Sequence, residues 1–371
     1  MTKPNPENEC QKRAYFSYLR EAHGRDDATI DRVAASLARF EASTRGRDFK
    51  RFHREQAVAF KAKLLEGVNA RTGERLSKAT VLSTLRDLRA FFLWLAREPG
   101  FRSKIAFADA DYFNLPDKDV AIARAHREPN PPTVEQMRRV LESMPTTTPL
   151  ERRDRALVAF AALTGARAAA LASFRLGHVN SVEGFVDQDA RVVRTKFAKT
   201  FRTDFHRLVP GAFEIFADWR AELERDHAWG PDDPLFPQPE MGVDANGRFA
   251  PIGLSRKGWA TSAPVREIFR RGFKAAGLPY RNPHSLRSML VRRYMEMDLS
   301  PAQLKAVSQS LGHSDVLTTF TSYGQLPTHR QSELIRAIAE HLAEKEHDPL
   351  AELEAVIGRL KAERQNGCAS T

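Results

Sequence analysis

LGHSDVLTTFTSYGQL, residues 311–326, sets Tyr323 ten residues after a Gly-His pair and directly before a glycine. Taken alone it asks for nothing beyond packing, because a tyrosine near a helix end commonly buries its ring and leaves its hydroxyl in water. Three stretches upstream change the balance. TGAR (164–167) carries Arg167, KFAKT (196–200) carries Lys196 and Lys199, and PHSLR (283–287) carries His284 and Arg287. Each is weak by itself. An arginine after Thr-Gly is commonly a surface residue at a helix start, and His-x-x-Arg on a helix is more often a capping histidine beside a solvated arginine. Their order along the chain, cations first and the phenol last, makes them a set.

Composition narrows what such a set could act on. The chain has 58 Lys and Arg against 47 Asp and Glu, a net charge of +11 over 371 residues. That balance suits an acidic polymer, either nucleic acid or a membrane surface, and charge alone does not choose. The length allows two domains, each with its own core. The first residues, MTKPNPENECQKR, lack the apolar core of a signal peptide, and the longest apolar run, ALVAFAAL (156–163), is too short to span a bilayer. A soluble, cytoplasmic protein without a membrane partner is expected. Cys10 and Cys368 lie near opposite ends with no metal-like spacing, which suggests neither a disulfide framework nor a zinc site. With no P-loop pattern and no carboxylate cluster suited to two metals, no nucleotide or metal cofactor is expected either.

Periodicity divides the chain. From 10 to about 98 the pattern is helical, clearest where Ile30, Val33, Leu37 and Phe40 form one face behind the capping candidates Asp26 and Asp27. A second helix starts after Ser77, carries Val81, Leu85, Leu88, Phe92 and Leu95 on one face, and stops before Pro99-Gly100. Its other face is basic at Lys78, Arg86 and Arg89; with Arg45, Arg47, Lys50 and Arg51 these form either a solvated surface or a phosphate-binding one. Residues 1–115 are read as a helical domain. PDKDVAIARAHREPNPP (116–132) is read as a linker, since PNPP cannot continue a helix.

The second domain, 133–347, opens with Thr133 capping a helix that bears Val134, Met137, Val140 and Leu141. Helix 153–163 is the expected centre of its core. Over 182–210, β-branched and aromatic residues alternate with polar ones, which predicts a small antiparallel sheet with a turn near 187–190. Helices are expected at 211–227 and 264–276 around a Pro- and Gly-rich loop at 229–258, and onward to about 344. The tail, 348–371, begins DPLAELEAVIGRL, with Asp348 at a cap and Pro349 at the first helical position. Its stripe of Leu350, Leu353, Val356, Ile357 and Leu360 needs cover, from its own domain or from a neighbouring protomer. The fold class is mainly α with a small antiparallel β-sheet in the second domain.

TGAR, PHSLR, LGHSD and the tyrosine of TSYG, in this order, resemble the boxes of the tyrosine recombinases, or phage-integrase family, over about 10–341. The resemblance implies a core-binding helical domain ahead of a catalytic domain, the two closing on double-stranded DNA as a C-shaped clamp, and a homotetramer on DNA. It implies a site of Arg167, Lys199, His284, Arg287, His313 and Tyr323, with Lys196 as the alternate lysine. The chemistry of the residues agrees. Cutting a phosphodiester by nucleophilic attack needs a nucleophile, neutralisation of phosphate oxygens, and a proton for the leaving alkoxide. Tyr323 can form a phosphotyrosyl link, and its aryl oxide can leave again when the strand is rejoined. Arginines suit the non-bridging oxygens because a guanidinium is planar and permanently charged. By resemblance His284 is the acid–base partner, His313 an oxygen ligand, and the lysine the general acid; the residues alone do not divide those roles. Two departures stand out: Ala170 occupies a position where the family often has an acidic residue, and the His313 to Tyr323 spacing is one longer than the commonest. The function expected is site-specific recombination or integration. A type IB topoisomerase uses similar residues, but the N-terminal bundle favours recombination. A non-catalytic DNA-binding protein of recombinase descent is the alternative, and Ala170 is its support.

Overall fold

The computed structural model describes residues 5–69, 73–125, 130–244, 246–297 and 299–312, with Ser332, Ile335 and Arg336 as single positions. His313, Tyr323 and the tail helix expected after 347 lie outside the described residues. The chain forms two compact units, 1–126 and 127–371.

The first unit is helical: α1 (Pro6–Glu21), α2 (Asp27–Thr44), α3 (Arg54–Glu66), α4 (Lys78–Leu95), α5 (Phe107–Ala110) and α6 (Asp117–Arg124). Asp26, rather than Asp27, caps α2 by accepting from the Thr29 amide at 2.8 Å. Ser77 does the same for α4 with the Thr80 amide at 3.1 Å. Such caps satisfy amides that have no partner inside the helix. Val81, Leu85, Leu88, Phe92 and Leu95 are all fully buried, so α4 is the central element. Phe52 stacks on Phe92 with centroids 3.8 Å apart, and Phe40 meets Phe92 edge-on. The stretch read as a linker is helical in its first half: α6 packs on α4, and Lys78 pairs with Asp119 at 2.8 Å. Asp117 and Asp119 favour a helix start there. The charges in the first half of the stretch serve a helix N-terminus and an ion pair. Arg89 likewise pairs with Asp111 at 2.7 Å, so part of the basic face is neutralised within the unit.

The second unit holds α7 (Val134–Ser143), α8 (Pro149–Thr164), α9 (Ala168–Leu171), α10 (Ala212–Arg225), α11 (Ala263–Ala275), α12 (Ser285–Met295) and α13 (Pro301–Ser310). Residues 156–163 of α8 are buried on every face, and the helix packs against α10 and α11. Its start lies four residues ahead of the expected one, because Thr148 and Glu151 form a capping box around Pro149.

The expected sheet is present as three antiparallel strands, β1 (Val179–Asn180), β2 (Phe185–Gln188) and β3 (Phe201–Asp204), in that order. Phe185 lies opposite Asp204 and Gln188 opposite Phe201. The turn expected near 187–190 is displaced. The tight turn is at 181–184, where Asn180 Oδ1 accepts from the Val182 and Glu183 amides, and the β2–β3 connection runs through 189–200. A hairpin, β4 (Pro239–Val243) with β5 (Phe249–Leu254), stands where a loop was expected. Pro239, Gly242, Pro251 and Gly253 hide its alternation, and a two-stranded ribbon tolerates them because both strands are edges. Asp244 Oδ1 closes it by accepting from the Asn246 and Arg248 amides, each at 2.8 Å. Among the described residues no helix is long and apolar enough to cross a membrane.

Candidate functional site

The TGAR box is the end of α8. Gly165 caps the helix with φ 56° and ψ 21°, a left-handed conformation that costs glycine nothing. It is also crowded: a Cβ there would lie 3.1 Å from Leu290 Cδ1 and Leu311 Cδ2 and 3.2 Å from Arg287 Cγ. A side chain there would be strained on both counts, and the three boxes meet at this glycine. The chain then turns to put Arg167 at the N-cap position of α9.

Arg287 sits in the first turn of α12 and is 1% exposed. Its Nη1 donates to the Gly165 carbonyl at 3.1 Å and its Nη2 to the Leu311 carbonyl. Those two carbonyls terminate α8 and α13, and helix-end carbonyls carry partial negative charge without an intrahelical partner. A buried guanidinium is costly unless it is solvated by such groups. Here two helix ends solvate it and fix its plane.

His284 occupies the position before α12 and keeps an exposed edge. Its pKa is lowered, first by desolvation and then by the positive charges of Arg287, Arg167 and Lys196. Cations from three separate stretches of chain therefore act on one imidazole and favour its neutral form. Of the two candidate lysines, Lys196 is the one whose charge reaches His284, while Lys199, the one favoured from sequence, lines an open depression with Phe201, Arg202, Ala306, Gln309 and Gly312. The reason is local. Phe197 and Ala198 both have positive φ, so the chain bends sharply between the two lysines instead of running on as a regular strand end.

The β3 strand is locked to α13. A Cβ at Gly312 would fall 2.6–2.8 Å from the Phe201 ring, so any larger residue would push that ring or the turn out of place. Thr203 Oγ1 accepts from Gln188 Nε2 at 2.8 Å and donates to the Ser310 carbonyl at 2.7 Å. The Asp204 amide donates to Ser310 Oγ at 3.0 Å. His206, 5% exposed, lies with Nδ1 2.9 Å from the Tyr294 hydroxyl and Nε2 3.5 Å from Ser310 Oγ. Burial, and secondarily Arg287, lowers its pKa to about 4. Sequence reasoning passed over His206, Thr203 and Ser310. No local pattern marks them, because the partners of His206 are 88 and 104 positions away. Ala170 is 1% exposed within the hydrophobic core of the unit.

A family model described as the phage integrase family matches residues 133–330, more than half of the chain. No curated protein matches the sequence. Among solved structures, the chain is similar to a lambda integrase dimer bound to a COC′ core site, at 13% identity over 85% of this chain and 95% of that one, with a TM-score of 0.57. It is similar to the Tn1549 transposon integrase in complex with transposon right end DNA, at 15% identity over 90% and 99% of the two chains, with a TM-score of 0.54. It is also similar to the XerH site-specific recombinase bound to palindromic difH substrate, at 17% identity over 88% and 83%, with a TM-score of 0.54.

Proposed function

This chain belongs to the phage integrase family, and from that membership we propose that it is a site-specific DNA recombinase that cuts and rejoins strands through a 3′-phosphotyrosyl intermediate on Tyr323. The observation that carries the reading is the meeting of the TGAR, PHSLR and LGHSD boxes, where Arg287 donates to the Gly165 and Leu311 carbonyls and the charges of Arg287, Arg167 and Lys196 act on His284. A phosphodiester seated against that imidazole meets positive charge from three stretches of the chain. Arg167 and Arg287 neutralise the non-bridging oxygens as negative charge builds; one such preorganised donor is typically worth about 3–4 kcal/mol in the transition state. His284, held neutral by burial and then by its cationic neighbours, takes the phenolic proton as the Tyr323 oxygen attacks phosphorus. The bond to the 5′-oxygen breaks, and Lys196 gives that oxygen its proton. His313 donates to a remaining phosphate oxygen. Rejoining is the reverse: an incoming 5′-hydroxyl attacks, and the tyrosine oxygen leaves with the bond energy conserved. In this reading the two units close on duplex DNA as a C-shaped clamp, and four protomers assemble on DNA in the cytoplasm.

The test is a nicked suicide duplex that traps the cut strand, built from the DNA at the ends of the element that carries the gene. The wild-type chain is expected to form an adduct that survives denaturant. Tyr323→Phe, which removes one oxygen and keeps the ring, is expected to bind DNA and form none. Tight binding by the wild-type chain with no adduct would refute the reading.

A further inference from the structure

The β2–β3 connection ends in an arrangement that folding alone does not explain. Phe197 has φ 61° and ψ 28°, and Ala198 follows with φ 48°. Two consecutive left-handed residues without a glycine are strained, and an aromatic residue there is an outlier. The Phe197 side chain is also 78% exposed. Its neighbour across the ring face is a cation, with Lys196 Nζ 4.7 Å from the ring centroid, and Lys199 follows two positions later. A strained backbone and a wetted aromatic ring are both unfavourable in the free protein, and they fall on one residue between two lysines. The base supporting them is rigid, since β3 is tied to α13 through Thr203, Ser310 and the contact of Gly312 with Phe201. The connection lies beside the LGHSD box, because Lys199 and Thr200 line one depression with Ser310 and Gly312.

We propose that Phe197 is a wedge that enters a DNA base step next to the cleaved bond, stacking on an exposed base while Lys199 engages a flanking phosphate. This inference rests on the strand-exchange reading and adds to it a residue that selects sequence by deformability. Apolar side chains inserted between base steps unstack and kink the duplex, and the ring then exchanges water for a base. The strain at Phe197 and Ala198 keeps the ring presented before DNA arrives, so little ordering remains to be done on binding. Pyrimidine–purine steps unstack most easily, and the wedge therefore favours TA or CA beside the scissile phosphate without any hydrogen bond to a base edge.

The probe is a 40-bp duplex selected from a randomised pool for covalent capture by the full-length wild-type chain, then remade with 2-aminopurine at the steps flanking the cleaved bond. Wild type and Phe197→Tyr are expected to raise its fluorescence several-fold. Phe197→Ala and Phe197→Gly are expected to leave it near the free-duplex level and to slow cleavage between about 5-fold and 150-fold, the range of one lost base–aromatic stack. Phe197→Gly relieves the backbone strain, so its thermal midpoint is expected to equal or exceed that of wild type, which separates the loss from misfolding. Fluorescence and cleavage unchanged in both small variants would overturn the wedge and leave the recombinase reading standing. Failure of the wild-type chain to be captured at all would overturn both.

Discussion

At the scale of single residues, the two arginines of the candidate site are held differently although the same phosphate role suggests itself for both. Arg287 is buried and donates to the ends of two helices; Arg167 is only partly buried, at the start of a short helix. The first therefore serves as a keystone of the fold as well as a charge, and loss of activity on removing it would mix the two duties. The lysine question is cleaner, because Lys196 and Lys199 are both outside the core. Lys196→Ala is expected to raise the pKa of His284 by removing one of the charges that oppose its protonation, while Lys199→Ala leaves it in place. Imidazole resonances followed by NMR across pH read this directly. The acid limb of strand cleavage should move to higher pH in step with the His284 titration. Equal shifts from the two variants would show that neither lysine is distinguished by position.

At the scale of elements, the unit that bears the site is held together by polar ties as well as by apolar packing. His206 follows β3 and joins α12 through Tyr294 and α13 through Ser310. It is buried, faces the positive charge of Arg287, and protonates at about pH 4 in the folded chain. The unfolded chain takes that proton near the ordinary histidine value of about 6.5. Between those values the unfolded state binds more protons, so the stability His206 contributes is complete above about pH 6.5 and is lost as pH falls toward 4. The loss amounts to about 3 kcal/mol over that window. Urea unfolding of wild type and His206→Gln at pH 7.5, 5.5 and 4.5 measures it. The wild-type curve is expected to fall faster with acid than that of the variant, and parallel curves would show that His206 does not titrate in this way.

At the scale of the whole molecule, the +11 net charge is a surplus that internal ion pairs such as Lys78–Asp119 and Arg89–Asp111 leave untouched, since each removes one charge of either sign. Binding to duplex DNA is expected to be carried mainly by phosphates. With on the order of six phosphates neutralised, the logarithm of affinity should fall against the logarithm of salt with a slope near −5, at about −0.9 per phosphate. Fluorescence anisotropy of a labelled duplex from 50 to 300 mM salt gives the slope. A slope shallower than about −2 would mean that the surplus charge faces something other than DNA.

Local signals determined much of this protein. Apolar spacing placed α2 and α4, Ser77 and Thr133 marked helix starts, alternation located the three-stranded sheet, and the order of TGAR, PHSLR and LGHSD pointed to the family. These features depend on neighbours within a few positions, so they can be read along the chain. The helix inside the stretch read as a linker and the β4–β5 hairpin were not legible in that way. The first depends on an ion pair from Lys78 to Asp119, and the second on a ribbon whose prolines and glycines mask its period. Only the tertiary structure decided that Arg287 closes two helix ends and that His206 ties a strand to α12 and α13. Burial and electrostatics act between groups that the fold brings within a few ångströms, and sequence distance carries no information about which groups those are.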